Sequence, residues 1–127
     1  MLVFHEVWLE AFMKRLLATA ALALITGTAG AHAHLESAIP VDGTTVTAAP
    51  AAITLTFSEA AKITSFTIHK DGEAPAKVTP LPQEAAKRLI VAVPALTPGH
   101  YTVDYRVVSD DSHVVSGKLT FTVAAPQ

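Results

Sequence analysis

Apolar and polar residues alternate in five short stretches of this chain, and this alternation constrains its fold more than any other feature. Ile53, Leu55 and Phe57 form the first stretch, and the same spacing recurs at residues 66–68, 89–93, 101–107 and 119–123. A period of two places one set of side chains on a core and the other in water, which is typical of a half-buried β-strand. Turn sequences such as Lys70-Asp71-Gly72 and Thr97-Pro98-Gly99 separate the stretches.

Two further short stretches, at residues 35–38 and 76–78, bring the predicted number of strands to about seven. The pattern predicts an all-β domain, an Ig-like sandwich or Greek-key β-barrel of antiparallel strands. Residues 83–88 are predicted to form a single helical turn. The chain has 127 residues, the size of one domain, and contains no cysteine, so no disulfide can stabilise it.

The N-terminal part of the chain is predicted to be a cleaved signal peptide that covers residues 1–31. Met13-Lys14-Arg15 provides a basic segment, an apolar run follows it, and Ala29-x-Ala31 matches a signal-peptidase pattern. Met13 is therefore an alternative start to Met1. We expect export of the protein, with cleavage leaving residues 32–127 as the mature domain and His32 at its N-terminus.

An N-terminal histidine is a metal chelator, because its α-amine and its imidazole Nδ1 can close a six-membered ring on one ion. These nitrogens suit Cu(II), which favours tetragonal coordination by nitrogen and oxygen. Both methionines, Met1 and Met13, precede His32, so the predicted mature chain contains no sulfur ligand for Cu(I). The alternative interpretation is that His32 and His34 are only polar residues beside a cleavage site.

Asp111 and His113 form a D-x-H pattern between the last two predicted strands. In an extended segment residues i and i+2 project to the same side, so a carboxylate and an imidazole can face one atom. They would complete a four-ligand set with the amine and imidazole of His32. The pattern is short, and the alternative is a solvated turn closed by an Asx-type hydrogen bond.

His34 has three interpretations. It is an auxiliary ligand, or a residue of the first strand beside the site, or the third residue of a local N-terminal motif. In that motif the amine, two backbone amides and the His34 imidazole wrap Cu(II) or Ni(II). We favour the second interpretation, because Leu35 and the residues after it are predicted to lie in the sheet. His69 and His100 fall on the polar faces of their strands and are predicted to be surface histidines.

Several motifs occur together in one order: HAHL-x-x-x-x-P-x-x-G from His32, then L-T-F-S, P-G-x-Y-T-V and S-x-D-x-H-x-V-S-G. In this the chain resembles the CopC family of periplasmic copper-binding proteins over nearly the whole predicted mature domain. The resemblance implies a small Greek-key β-barrel with Cu(II) bound by His32 (amine and Nδ1), Asp111 and His113. At Ser112 the family loop commonly has glycine.

The resemblance implies a Cu(II) carrier or buffer of the periplasm, acting in copper homeostasis or resistance, which handles excess copper or delivers it to a CopD-type inner-membrane importer. Two alternatives are a metal-free Ig-like interaction module and a histidine-brace copper oxidase, and we expect a protein that is not an enzyme. The formal net charge of −2 gives no basic surface for nucleic acid. The mature domain is expected not to be embedded in the membrane.

Overall fold

The computed structural model describes residues 32–127, so the predicted signal peptide lies outside the described residues. The described chain forms seven strands: β1 (Leu35–Ile39), β2 (Thr44–Val46), β3 (Ala52–Lys70), β4 (Ala76–Lys77), β5 (Ala86–Ala92), β6 (Gly99–Ser109) and β7 (Val114–Val123). The all-β prediction is confirmed. Residues 32–127 contain no helix with the length and apolar character that a membrane span requires.

The 19-residue strand β3 organises the sheet. Its first half pairs with β1 on one side and β5 on the other, and its second half pairs with β6. The order β1-β3-β6-β7-β2 forms the main path, and β4 and β5 also pair with β3. Register shifts between Thr56 and Ala61 and between Ile63 and Ser65 interrupt the ladders where the strand passes from one set of partners to the other.

Three details differ from the sequence prediction. The stretches around residues 53–57 and 66–69 belong to one strand, and the short strand β2, which was not predicted, pairs in parallel with β7. The helical turn predicted at residues 83–88 is wrong, because Ala86 and Arg88 already pair with Ala61 and Thr56 of β3. The backbone groups of this segment are thus satisfied by the sheet rather than by a local turn.

Alternate residues of every long strand are buried in one core. The largest fully buried side chains come from β3, β5, β6 and β7: Phe57, Phe66, Phe121, Ile53, Leu55, Leu89, Leu119, Val91, Val103 and Val107. Tyr101 and Tyr105 are buried with them, as the period-two spacing predicts. The sheet therefore curls around a single apolar interior.

Aromatic packing fixes β3 against the β6–β7 hairpin next to the predicted metal site. The rings of Phe57 and Tyr105 meet edge to face, with centroids 5.9 Å apart. Tyr105 pairs with Gly117 of β7, and a Cβ atom at Gly117 would overlap the tyrosine ring. Burial, and to a smaller extent the charge of Asp42, raises the pKa of the Tyr105 hydroxyl. The Phe57–Tyr105 contact therefore packs β3, at the residue before Ser58, against the hairpin that ends in the D-x-H loop.

Candidate metal centre

The D-x-H residues lie in the loop that joins β6 to β7. The strands stay paired up to Val108 and Val114, and the loop then closes on itself. The Ser112 N–H donates to the Ser109 carbonyl at 2.9 Å, and the Ser109 N–H donates to the His113 carbonyl at 3.0 Å. Ser112 has a φ of 66°, in the left-handed region that favours glycine. This turn places Asp111 and His113 on the same side of the hairpin end.

The two carboxylate oxygens of Asp111 have different partners. Oδ1 accepts a hydrogen bond from the Ser109 hydroxyl and one from the His113 N–H at 3.3 Å, which is an Asx-type turn. Oδ2 lies 2.8 Å from Nδ1 of His113 and 3.4 Å from Nδ1 of His32. The loop therefore contains the Asx-type hydrogen bond that the alternative interpretation expects. The second carboxylate oxygen, Oδ2, still faces both imidazoles.

Ser109 is the buried polar residue that holds this loop. The residue is 4% exposed, and its hydroxyl also lies 3.2 Å from the His113 carbonyl. The hydrogen bond from Ser109, with smaller contributions from His113, lowers the pKa of Asp111 from 3.8 to about 2. Asp111 is thus an anion at neutral pH, with Oδ1 engaged by the loop and Oδ2 directed at the histidines.

His32 reaches the loop from the segment that precedes β1. Ala33 is 1% exposed and belongs to the core, so the segment before β1 is anchored beside β3. The ring of His32 meets the ring of His113 edge to face, with centroids 4.4 Å apart. The sheet thereby brings together residues that are far apart in sequence.

His32, Asp111 and His113 form a cluster whose donor atoms all lie within 4.8 Å of one another. The side chains of His32 and His113 are 56% and 62% exposed, so the cluster is open to solvent. Two imidazoles and a carboxylate are ligands that suit Cu(II) and other divalent first-row metals. The donor set fits the ion predicted from the sequence.

The other histidines of the described chain are not part of this cluster. His34 is exposed, just before β1, with its backbone paired to Ser58 of β3. His100 is exposed and its Nδ1 lies 3.0 Å from the Thr122 hydroxyl, whereas the Nδ1 of His69 is buried without a hydrogen-bond partner among residues 32–127. His69 is therefore half-buried, and the prediction of a surface histidine is wrong for its Nδ1 atom.

Two serines next to the cluster had no role in the sequence prediction. Ser109 is part of the S-x-D-x-H pattern and Ser58 ends the L-T-F-S pattern. The two patterns locate these serines in the sequence. They do not show that the Ser109 hydroxyl donates to Asp111 or that the Ser58 hydroxyl accepts the His34 N–H. Such partners become visible only when the fold joins distant segments.

Most of the described chain matches a family of known proteins. Residues 35–124 match the family described as "CopC domain". Protein YobA of Escherichia coli (strain K12) is 41% identical over 119 residues, which cover 87% of this chain and 94% of that protein.

Two solved structures share the fold. CopC from Methylosinus trichosporium OB3b has a TM-score of 0.66 at 28% identity, covering 76% of this chain and 97% of its own. PcoC, a methionine-rich copper resistance protein from Escherichia coli, has a TM-score of 0.57 at 34% identity, covering 73% of this chain and 99% of its own. The family match over residues 35–124 includes β1, β3, β6 and β7, the strands that position the cluster.

Proposed function

This chain belongs to the CopC family, and on that premise we propose that it binds Cu(II) through His32, Asp111 and His113 as a periplasmic copper carrier or buffer. The single observation that carries the proposal is the position of Asp111 Oδ2, which faces Nδ1 of both histidines. A relative of this chain is named as a copper resistance protein, which supports copper as the metal.

The donor types support Cu(II) rather than Cu(I). Residues 32–127 contain no cysteine and no methionine, so the cluster offers nitrogen and oxygen only. Cu(I) prefers thiolate and thioether sulfur, whereas imidazole and carboxylate suit Cu(II). Among the relatives, PcoC is described as methionine rich. This chain differs from it in that respect, and we propose that it handles the oxidised ion alone.

Cleavage after Ala31 is part of the proposal. It would give His32 a free α-amine, and the amine and Nδ1 of one residue can chelate one ion. With Asp111 and His113 these atoms make four donors, enough for tetragonal Cu(II) coordination. The leader would then have two roles, to export the chain and to create a ligand when it is removed.

The exposure of the cluster supports carriage of the metal rather than catalysis. Both imidazoles are more than half exposed, so an ion can enter and leave without opening of the core. Asp111 Oδ2 lies within 3.4 Å of Nδ1 of both histidines, so a carboxylate would share the bound ion with them, whereas a copper oxidase of the histidine-brace type needs an open coordination position. Delivery of copper to a CopD-type importer of the inner membrane is the transfer step that this role implies.

The mass of the exported protein, recorded under native and denaturing conditions, tests the proposal. The denatured mass is expected to correspond to residues 32–127, and the native mass to exceed it by one copper ion. A chain that begins at His34 would lack the chelating residue. A native mass without metal after exposure to Cu(II) would favour a metal-free interaction module.

A further inference from the structure

We propose that Ser58 of β3 is a positioning residue for the copper site, and that it directs Cu(II) to the folded cluster rather than to the local motif of the first three mature residues. The inference rests on the proposed function, because it concerns how His32 is presented to the metal. Ser58 is not one of the three residues of the cluster, which are His32, Asp111 and His113.

Ser58 holds the segment of residues 32–34 through three contacts. Its Oγ accepts the His34 N–H at 3.0 Å and donates to the His32 carbonyl at 3.4 Å. Its own N–H donates to the His34 carbonyl at 2.9 Å. One residue thus contacts the backbone on both sides of Ala33, whose side chain is buried in the core.

These contacts fix the path of the chain just before the metal cluster. With the His32 carbonyl and the His34 N–H directed at Ser58, the Nδ1 of His32 lies 3.4 Å from Asp111 Oδ2. Phe57, the preceding residue of β3, is fully buried and packed against Tyr105 of β6. Ser58 therefore connects the packed core to His32, whose own side chain is more than half exposed.

The same contacts oppose the alternative binding mode. In the local motif the metal is bound by the His32 amine, the backbone nitrogens of Ala33 and His34, and the His34 imidazole. The His34 nitrogen cannot bind a metal while its hydrogen is donated to Ser58 Oγ. The same hydroxyl holds the His32 carbonyl, and so keeps the backbone between the two histidines in place. Loss of the hydroxyl removes both hydrogen bonds and makes the His34 nitrogen available to a metal.

The test uses the mature chain beginning at His32, with Ser58→Ala, Ser58→Thr and the control Ser65→Ala. Ser65 lies on the same strand, and its hydroxyl has no hydrogen bond to any residue of 32–127. Cu(II) affinity is measured against a competing chelator, and EPR spectra report the ligand set. We expect Ser58→Ala to weaken binding by about tenfold, as for loss of an outer-shell partner. Ser58→Thr and Ser65→Ala should match the wild type.

The EPR spectrum separates positioning from a general loss of stability. In Ser58→Ala we expect a second Cu(II) component that disappears when His34→Ala is added. Wild-type affinity and a single wild-type spectrum in Ser58→Ala would overturn the inference. His113→Ala, measured in parallel, distinguishes the two proposals: unchanged binding in that variant would contradict the copper site itself, whereas a loss there with no effect of Ser58→Ala overturns only the role of Ser58.

A measurement on the wild-type protein keeps the inference testable if Ser58→Ala does not fold. Amide hydrogen exchange of the metal-free protein should show protection of the His34 N–H, because it donates to Ser58 Oγ. Exchange of this amide at the rate of an unstructured peptide would overturn the inference.

Discussion

Asp111 and His32 are 79 residues apart in the sequence, yet Oδ2 of the first lies 3.4 Å from Nδ1 of the second. The contact exists because β6 pairs with β3 along most of its length, while the segment before β1 follows the other half of β3. The central strand therefore brings the segment that contains His32 to the loop between β6 and β7.

The proposed amine ligand makes copper binding sensitive to any residue added before His32. A single alanine or a tag remnant at this position would convert the amine to an amide and remove one of four donors. We expect a large loss of Cu(II) affinity, beyond the roughly 10–100-fold typical of outer-shell changes. Titration of the extended and the processed protein side by side checks this, and equal affinities would argue against the amine as a ligand.

Ser109→Ala should raise the pKa of Asp111 from about 2 towards 3.8, since the Ser109 hydrogen bond is the main cause of the lowered value. A carboxyl whose pKa is lower in the native than in the unfolded state stabilises the fold above about pH 4. That contribution is lost as the pH falls towards 2. NMR titration of metal-free wild type and variant measures the pKa, and the variant should show a smaller fall in stability over this range. An unchanged pKa would contradict the role given to Ser109.

Gly117→Ala should destabilise the metal-free domain by about 1–3 kcal/mol, the usual cost of overpacking a core. The added Cβ would overlap the Tyr105 ring, which is packed against Phe57 and has little room to move. Urea unfolding measures the change in the free energy of unfolding. Ser116→Ala, one position earlier in β7, is the matched control and should stay near the wild-type value.

Reduction should release the metal. With imidazole and carboxylate donors and no sulfur in residues 32–127, the site is expected to hold Cu(II) and to lose copper after ascorbate is added. Copper content after gel filtration, with and without ascorbate, gives the result. Tight retention of Cu(I) would mean that the proposed donor set is incomplete.

The sequence alone predicted the elements whose signal is local. Alternation at residues 101–107 and 119–123 predicted β6 and β7. The extended segment predicted at Asp111 and His113 is wrong, because the chain turns at Ser112, and this turn rather than a strand brings the two side chains together. The helical turn at residues 83–88 failed because pairing with β3 overrides a weak local preference. The role of Ser58 was beyond sequence reasoning, since its hydroxyl acts on a segment that only the folded sheet places beside it.

Copper titration of His113→Ala, Asp111→Ala and His34→Ala tests the central claim most directly. The folded cluster requires the first two residues, whereas the local motif requires His34 and the backbone nitrogens after His32. We expect His113→Ala and Asp111→Ala each to weaken Cu(II) binding and change its EPR spectrum, with the larger loss for His113→Ala. His34→Ala should have a much smaller effect near neutral pH. Loss of binding in His34→Ala together with intact binding in His113→Ala would mean that the D-x-H loop is only a turn.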